Sequence, residues 1–141
     1  TEVVKLYWRY NKCMYNRDMQ DKEFQGLLKQ LRKLYDAELL DMKKNSWENM
    51  LNQFEKDRSE YLKKDRVITT YAVQPNSTVQ YNTVDGKERA VVIAGAVVKV
   101  KSKREQVYEK FICQKDSDGN WKVLGWSQTT DKDEISLVTN K

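Results

Sequence analysis

The 141 residues carry 39% apolar and 33% charged side chains, enough for one domain with a single modest core, and no run approaches the roughly 18 apolar residues of a membrane helix. The chain has no His, which excludes Ser-His-Asp and Cys-His catalysis, His general bases and His-containing zinc sites. Its net charge is +5, but residues 1–65 hold 14 basic and 12 acidic side chains and residues 66–141 hold 12 and 9, a mixed surface without the concentrated positive face that nucleic acid requires.

Glu2 to about Asn16 reads as a first helix. Val4, Tyr7, Trp8, Asn11 and Tyr15 share a stripe that Leu6, Tyr10, Cys13 and Met14 broaden, so the helix is expected to be covered on more than one side. A polar break follows, with Asp18 or Asp21 placed to cap the next helix. Phe24, Leu27, Leu28, Leu31, Leu34 and Tyr35 follow the i, i+3, i+4, i+7 pattern and predict a helix from Asp21 to Tyr35. Asp36–Met42 is a shorter helical piece. Asn45-Ser46 then caps a helix with Trp47, Met50, Leu51, Phe54, Tyr61 and Leu62 on one side, a stripe that Asp57-Arg58 interrupts.

After Arg66 the period changes from 3.6 to 2. Val67, Thr69, Tyr71 and Val73 alternate with Ile68, Thr70, Ala72 and Gln74 until Pro75, which cannot donate to a ladder, stops the strand. Thr78–Val84 resumes the alternation. Asp85-Gly86 predicts a type I′ hairpin, whose central residues must tolerate positive φ. Arg89–Lys101 is a long strand, apolar on both faces from Ala90 to Val98, and so either covered on both sides or part of an interface. Gln106–Gln114 returns, Asp116-Ser-Asp-Gly-Asn120 turns, and Trp121–Gln128 is the last strand. Residues 129–141 read as a polar, frayed tail. Helices over 1–65 followed by strands over 66–128 make a single α+β domain, with the N-terminal helices packed on a curved antiparallel sheet of about four to five strands.

Few motifs carry chemistry. The turn at Asp116 fails as a calcium loop because Ser127 stands where a bidentate Glu is needed. The basic tip from Lys99 to Arg104 lacks the stacked aromatics of a single-strand binder and better suits a charged hairpin that resists edge pairing. Asn76-Ser77-Thr78 is a glycosylation sequon of the kind that arises by chance. Cys13 and Cys113 are too few for a structural zinc site; they are either one disulfide between the first helix and its strand or small, partly buried thiols. Tyr71, Tyr81, Tyr108 and Glu109 are strand residues able to line a pocket, and a carboxylate with tyrosines is the acid–base chemistry this composition leaves open. No cofactor or metal is expected.

Asp85-Gly-Lys-Glu-Arg-Ala-Val-Val, Tyr108-Glu-Lys-Phe and Asp118-Gly-Asn-Trp-Lys-Val-Leu-Gly-Trp126 resemble the closing strands of NTF2-like (cystatin-like α+β) domains. Glu2-Val-Val-Lys-Leu-Tyr and Leu34-Tyr-Asp-Ala-Glu-Leu-Leu resemble small uncharacterised domains from gut Firmicutes, often found behind a signal or lipid anchor. The resemblance spans about residues 1–128. It implies a conical cavity between sheet and helices, holding a small ligand in some relatives and plugged in others, whose sheet face binds protein. The order of elements is also similar to VirB8-type components of conjugation machines. No counterpart of the family's catalytic His or Asp arrangement is found.

These features lead to the expectation of a non-catalytic, extracytoplasmic domain, held at the cell envelope of a Gram-positive bacterium by a preceding N-terminal segment. It is expected to bind a protein partner or a second copy through an apolar sheet face containing Val92, Ala94, Ala96, Val98, Ile112 and Leu124. A small-molecule pocket lined by Tyr7, Trp8, Tyr71, Trp121 and Trp126 is the alternative. An aromatic-lined cavity above roughly 300 Å³ distinguishes the second from the first, and a carboxylate of raised pKa within it is what an enzyme would require.

Overall fold

The computed structural model describes residues 1–16 and 19–139. Four helices precede the strands among these residues: α1 (Glu2–Asn16), α2 (Asp21–Arg32), α3 (Ala37–Leu40) and α4 (Trp47–Lys63). The strands β1 (Arg66–Val73), β2 (Gln80–Val84), β3 (Lys87–Val100), β4 (Lys103–Lys115) and β5 (Trp121–Gln128) follow, and α5 (Lys132–Thr139) closes the chain. The protein is thus α+β, its N-terminal helices packed on a five-stranded antiparallel sheet. The order is β1-β3-β4-β5, with β2 pairing the far end of β3.

Local chemistry sets the boundaries. Ser46 accepts a hydrogen bond from the Asn49 N–H and starts α4, and Asp36 does the same for Glu38 at α3. Asp18 lies outside the described residues, and Asp21 is the first residue of α2, its charge beside the helix N-terminus rather than capping it. Helix α2 ends at Arg32, short of Tyr35, because the next residues join the sheet. The Val123 N–H donates to the Leu34 carbonyl at 2.7 Å, and the Asp36 N–H donates to the Val123 carbonyl at 2.7 Å. That short parallel bridge covers the edge of β5. At the β2–β3 hairpin Asp85 and Gly86 take φ of 51° and 77°, the pair of left-handed conformations the turn needs.

Helix α1 lies along β1. Its Val4, Tyr7, Trp8, Met14 and Tyr15 enter the core with Phe24, Leu28 and Leu31 of α2. Each end is tied to the strand. The Asn16 amide donates to the Ile68 carbonyl at 2.5 Å and accepts from the Ile68 N–H at 2.7 Å; at the other end the Thr1 hydroxyl donates to the Gln74 carbonyl at 2.8 Å.

Gln74 also repairs the ladder where Pro75 turns the chain away. Its N–H donates to the Ile93 carbonyl at 2.8 Å as a strand residue would. Its own carbonyl is taken by Thr1, so its side-chain Oε1 accepts from the Ile93 N–H at 3.0 Å, and its Nε2 donates to the Thr78 carbonyl at 2.8 Å. A side chain thus completes the exchange a peptide normally makes.

The segment expected to fray is a helix over 132–139. Asp131 accepts from the Asp133 and Glu134 N–H groups and so begins it. The helix turns back over the outer face of the sheet, where Lys110 of β4 meets Glu134 at 3.3 Å and the Thr129 N–H donates to the Tyr108 carbonyl. Ile93, on that outer face, is only 1% exposed. The apolar run of β3 is therefore covered on both sides. Within it Gly95 is required by its cross-strand neighbour: a Cβ there would stand 2.7 Å from the Tyr108 ring. Residues 140 and 141 lie outside the described residues.

Replacing Gln74 by Leu keeps the bulk but leaves the Ile93 N–H buried without an acceptor. The expected loss is about 1–3 kcal/mol in urea unfolding; an unchanged midpoint would show that another group takes over.

Candidate functional site

Strand alternation sets the inner face. β3 directs Ala90, Val92, Ala94, Ala96 and Val98 at the helices, and the paired positions on β4 are Val107, Glu109, Phe111 and Cys113. Glu105, opposite Val98 at the end of the row, is exposed and meets Arg66, but Glu109 stands within the row, opposite Ala94. Helix α4 does not close over this row, because Asn49, Gln53 and Asp57, at four-residue spacing, share one side of that helix. A cavity of about 700 Å³ remains between α1, α4 and the sheet.

Its walls are aromatic. Tyr7 is the hub of one group, with ring centroids 5.7 Å from Trp8, 5.0 Å from Phe111 and 5.5 Å from Trp126; Tyr35 lies 5.5 Å from Trp126. A second group stacks Tyr15 on Tyr61 at 4.5 Å, with Phe54 at 6.1 Å. Lys44, Asn49 and Gln53 line the cavity where it meets solvent. Asp57 accepts from the Gln53 amide at 2.9 Å. The Asn11 amide, buried on the apolar face of α1, donates to the Tyr7 carbonyl at 2.8 Å.

Glu109 is the electrostatic centre of the site. Burial pushes its carboxyl up to about 6. Its Oε2 is buried without a hydrogen-bond partner, as is Trp8 Nε1. Glu109 contributes to the raised pKa of tyrosines in both groups: Tyr7, raised mainly by burial and next by Tyr35, and Tyr35 and Tyr61, each raised by burial against the opposing effect of Arg32 or Arg66. Burial likewise raises Tyr15. These phenols therefore keep their protons through the physiological range, while Glu109 changes charge near pH 6.

Tyr7, Trp8 and Trp126 of the expected pocket come together here. Tyr71 and Trp121 do not. Tyr71 lines a recess of about 150 Å³ beneath Val138 of α5. Trp121 packs on Tyr81 at 5.7 Å, in a separate hollow near Val3 and Val79. The expected interface is corrected further. Val92, Ala94, Ala96 and Val98 are 0–4% exposed beneath the helices and unavailable to a partner, because alternation puts all four on the core face. Ile112, 38% exposed, and the half-buried Leu124 remain accessible.

Tyr15, Tyr35, Tyr61, Asn11 and Asp57 were not among the expected pocket residues. A polar Asn four residues after Tyr7 on an apolar stripe, and the Asn49/Gln53/Asp57 row, were the available signals. Cys13 and Cys113 are free thiols, the latter pushed up to about 11 by burial. Among the described residues no group of three His, Cys, Asp or Glu side chains is placed to hold a metal ion.

Residues 1–126 match the model of a family described as "Domain of unknown function (DUF6715)", and the chain belongs to that family. A comparison with curated proteins gives no match.

Because the folded state favours the neutral form of Glu109, its contribution to stability is fully present below about pH 4.5 and is lost as pH rises through about 6, leaving a penalty of about 2 kcal/mol above. Glu109→Gln is expected to be more stable than the parent at pH 8 by about 1–2 kcal/mol, with the gap closing below pH 5. Urea melts at both pH values measure it; a pH-independent difference would show that Glu109 is well solvated.

Proposed function

We propose that this member of the DUF6715 family is a small-molecule-binding domain whose ligand occupies the cavity between α1, α4 and the sheet. The observation that carries this reading is the aromatic cavity of about 700 Å³ with an unpartnered carboxylate inside it. A half-open cleft of this volume, walled by aromatic side chains with a few polar groups, matches the size and lining of ligand pockets. The resemblance of the closing strands to NTF2-like domains, some of which hold ligands between sheet and helices, supports the same place.

Binding is better supported than catalysis. The cavity holds one carboxylate near neutrality, and the raised phenols around it are poor proton donors. A protein partner on the sheet has less support: four of its six expected contact residues are in the core, and α5 lies over part of the outer face. The resemblance to anchored envelope domains supports an extracytoplasmic setting, with any membrane attachment through a preceding segment, since no helix among the described residues is long and apolar enough to cross a membrane.

Nile red, a neutral apolar dye, is expected to bind saturably with one site and to quench tryptophan emission from Trp8 and Trp126. Gln53→Trp, a change at an exposed position on the cavity rim, is expected to weaken uptake at least tenfold while leaving the thermal midpoint within a few degrees. Absence of uptake by the parent, or uptake indifferent to the rim substitution, would remove the cavity from consideration.

A further inference from the structure

The cavity is asymmetric in charge. Glu109 lies inside it with one oxygen buried and unbonded, and no basic side chain among the described residues pairs with it. Asp57 is the second acidic group on the lining, and Lys44, at the rim, is the basic one. Tyr7, Tyr35 and Trp126 line one side of the space, and Tyr15, stacked on Tyr61, lines the other. Their electron-rich rings attract positive charge and are most effective where water is excluded.

We infer that the ligand is an organic cation, a protonated amine or quaternary ammonium on an apolar body, with its charge against Glu109 and its body against the aromatic walls. This rests on the binding role given to the same cavity above. Each part of the lining selects for one part of such a molecule. A buried carboxylate without a counter-charge is costly, and a bound cation supplies the missing partner. An anion would meet Glu109 and Asp57 and gain only Lys44 at the edge. A bare metal ion would find too few oxygen ligands and rings where it needs donors. An ammonium group alone occupies a small part of about 700 Å³, so the remaining space calls for an apolar scaffold.

The pairing is also expected to depend on pH. The titratable or charged groups lining the cavity around Glu109 are Tyr7 and Tyr15 on α1, Tyr35 in the α2–α3 linker, Lys44 before α4, and Asp57 and Tyr61 on α4; Arg32 acts on Tyr35, and Arg66, over the Tyr61 ring, on Tyr61. Burial raises the Glu109 carboxyl to about 6, and protonating it removes the charge the ligand needs.

The test compares three probes of one shape: benzyltrimethylammonium, its neutral carbon isostere neopentylbenzene, and phenylacetate. Binding is followed by tryptophan fluorescence and by competition against Nile red. At pH 7.5 the cation is expected to bind at least tenfold more tightly than the neutral isostere, and phenylacetate to bind weakest. The cation's advantage is expected to shrink toward one at pH 5 and in Glu109→Gln. If that variant does not fold, the pH series on the parent protein decides. Equal affinity of cation and isostere at pH 7.5, a preference for the anion, or a cation advantage unchanged at pH 5 would overturn the assignment of charge. Nile red binding with no cation preference would sink this inference and leave the pocket standing. Failure of Nile red as well would remove the pocket and the inference together.

Discussion

The contact on which the rest of the molecule depends is the clamp between α1 and β1. Fifteen helical steps from Thr1 to Asn16 span about 22 Å. Six strand steps from Ile68 to Gln74 span about 20 Å. The two lengths match, and hydrogen bonds close both ends. With the helix fixed along the strand, its apolar stripe presses Val4, Tyr7, Met14 and Tyr15 against the inner face of the sheet, and α2 completes the layer with Phe24, Leu28 and Leu31.

What this arrangement leaves uncovered becomes the cavity. Helix α4 runs beside α1 and meets it through stacked rings, Tyr15 on Tyr61, but its row of Asn49, Gln53 and Asp57 resists burial. Glu109 then faces empty space rather than a neighbour. A chain selected only for stability would place Gln or Leu there. Retaining a desolvated, unpaired carboxylate among aromatic rings is a cost, and costs of this kind concentrate where a protein meets something else.

The architecture was largely legible in the sequence. The change of period at Arg66, the Asp85-Gly86 turn, the break at Pro75 and the Ser46 cap are local signals, and each corresponds to an element boundary. Which way side chains face was harder to read. From Ala90 to Val98 both phases of the strand are apolar, so the run does not reveal its core face. Adjacent charges at Glu109 and Lys110 leave the phase of β4 equally open. Bulges between Ile68 and Thr70 and between Ile112 and Cys113 shift the alternation, so Trp121 and Trp126 share the core face, but at opposite ends of β5, and only Trp126 reaches the cavity. Helix α5 was missed because only Ile135, Leu137 and Val138 give it an apolar side, although Asp131 and Glu134 carry the spacing of a capping box. Tyr35 entered the site through the β5 bridge, a long-range contact that no local pattern encodes.

The matched lengths of α1 and β1 bear on how this domain can change through descent. Substitutions along the clamp alter its strength, but an insertion or deletion within either member alters its geometry. One added residue in α1 would turn everything beyond it by about 100° and carry Asn16 about 1.5 Å past Ile68, swinging Tyr15 off the wall of the cavity while the residues before it stayed in place. Changes of chain length are therefore best tolerated at the hairpin tips around Gly86 and Ser102 and least tolerated between Thr1 and Asn16.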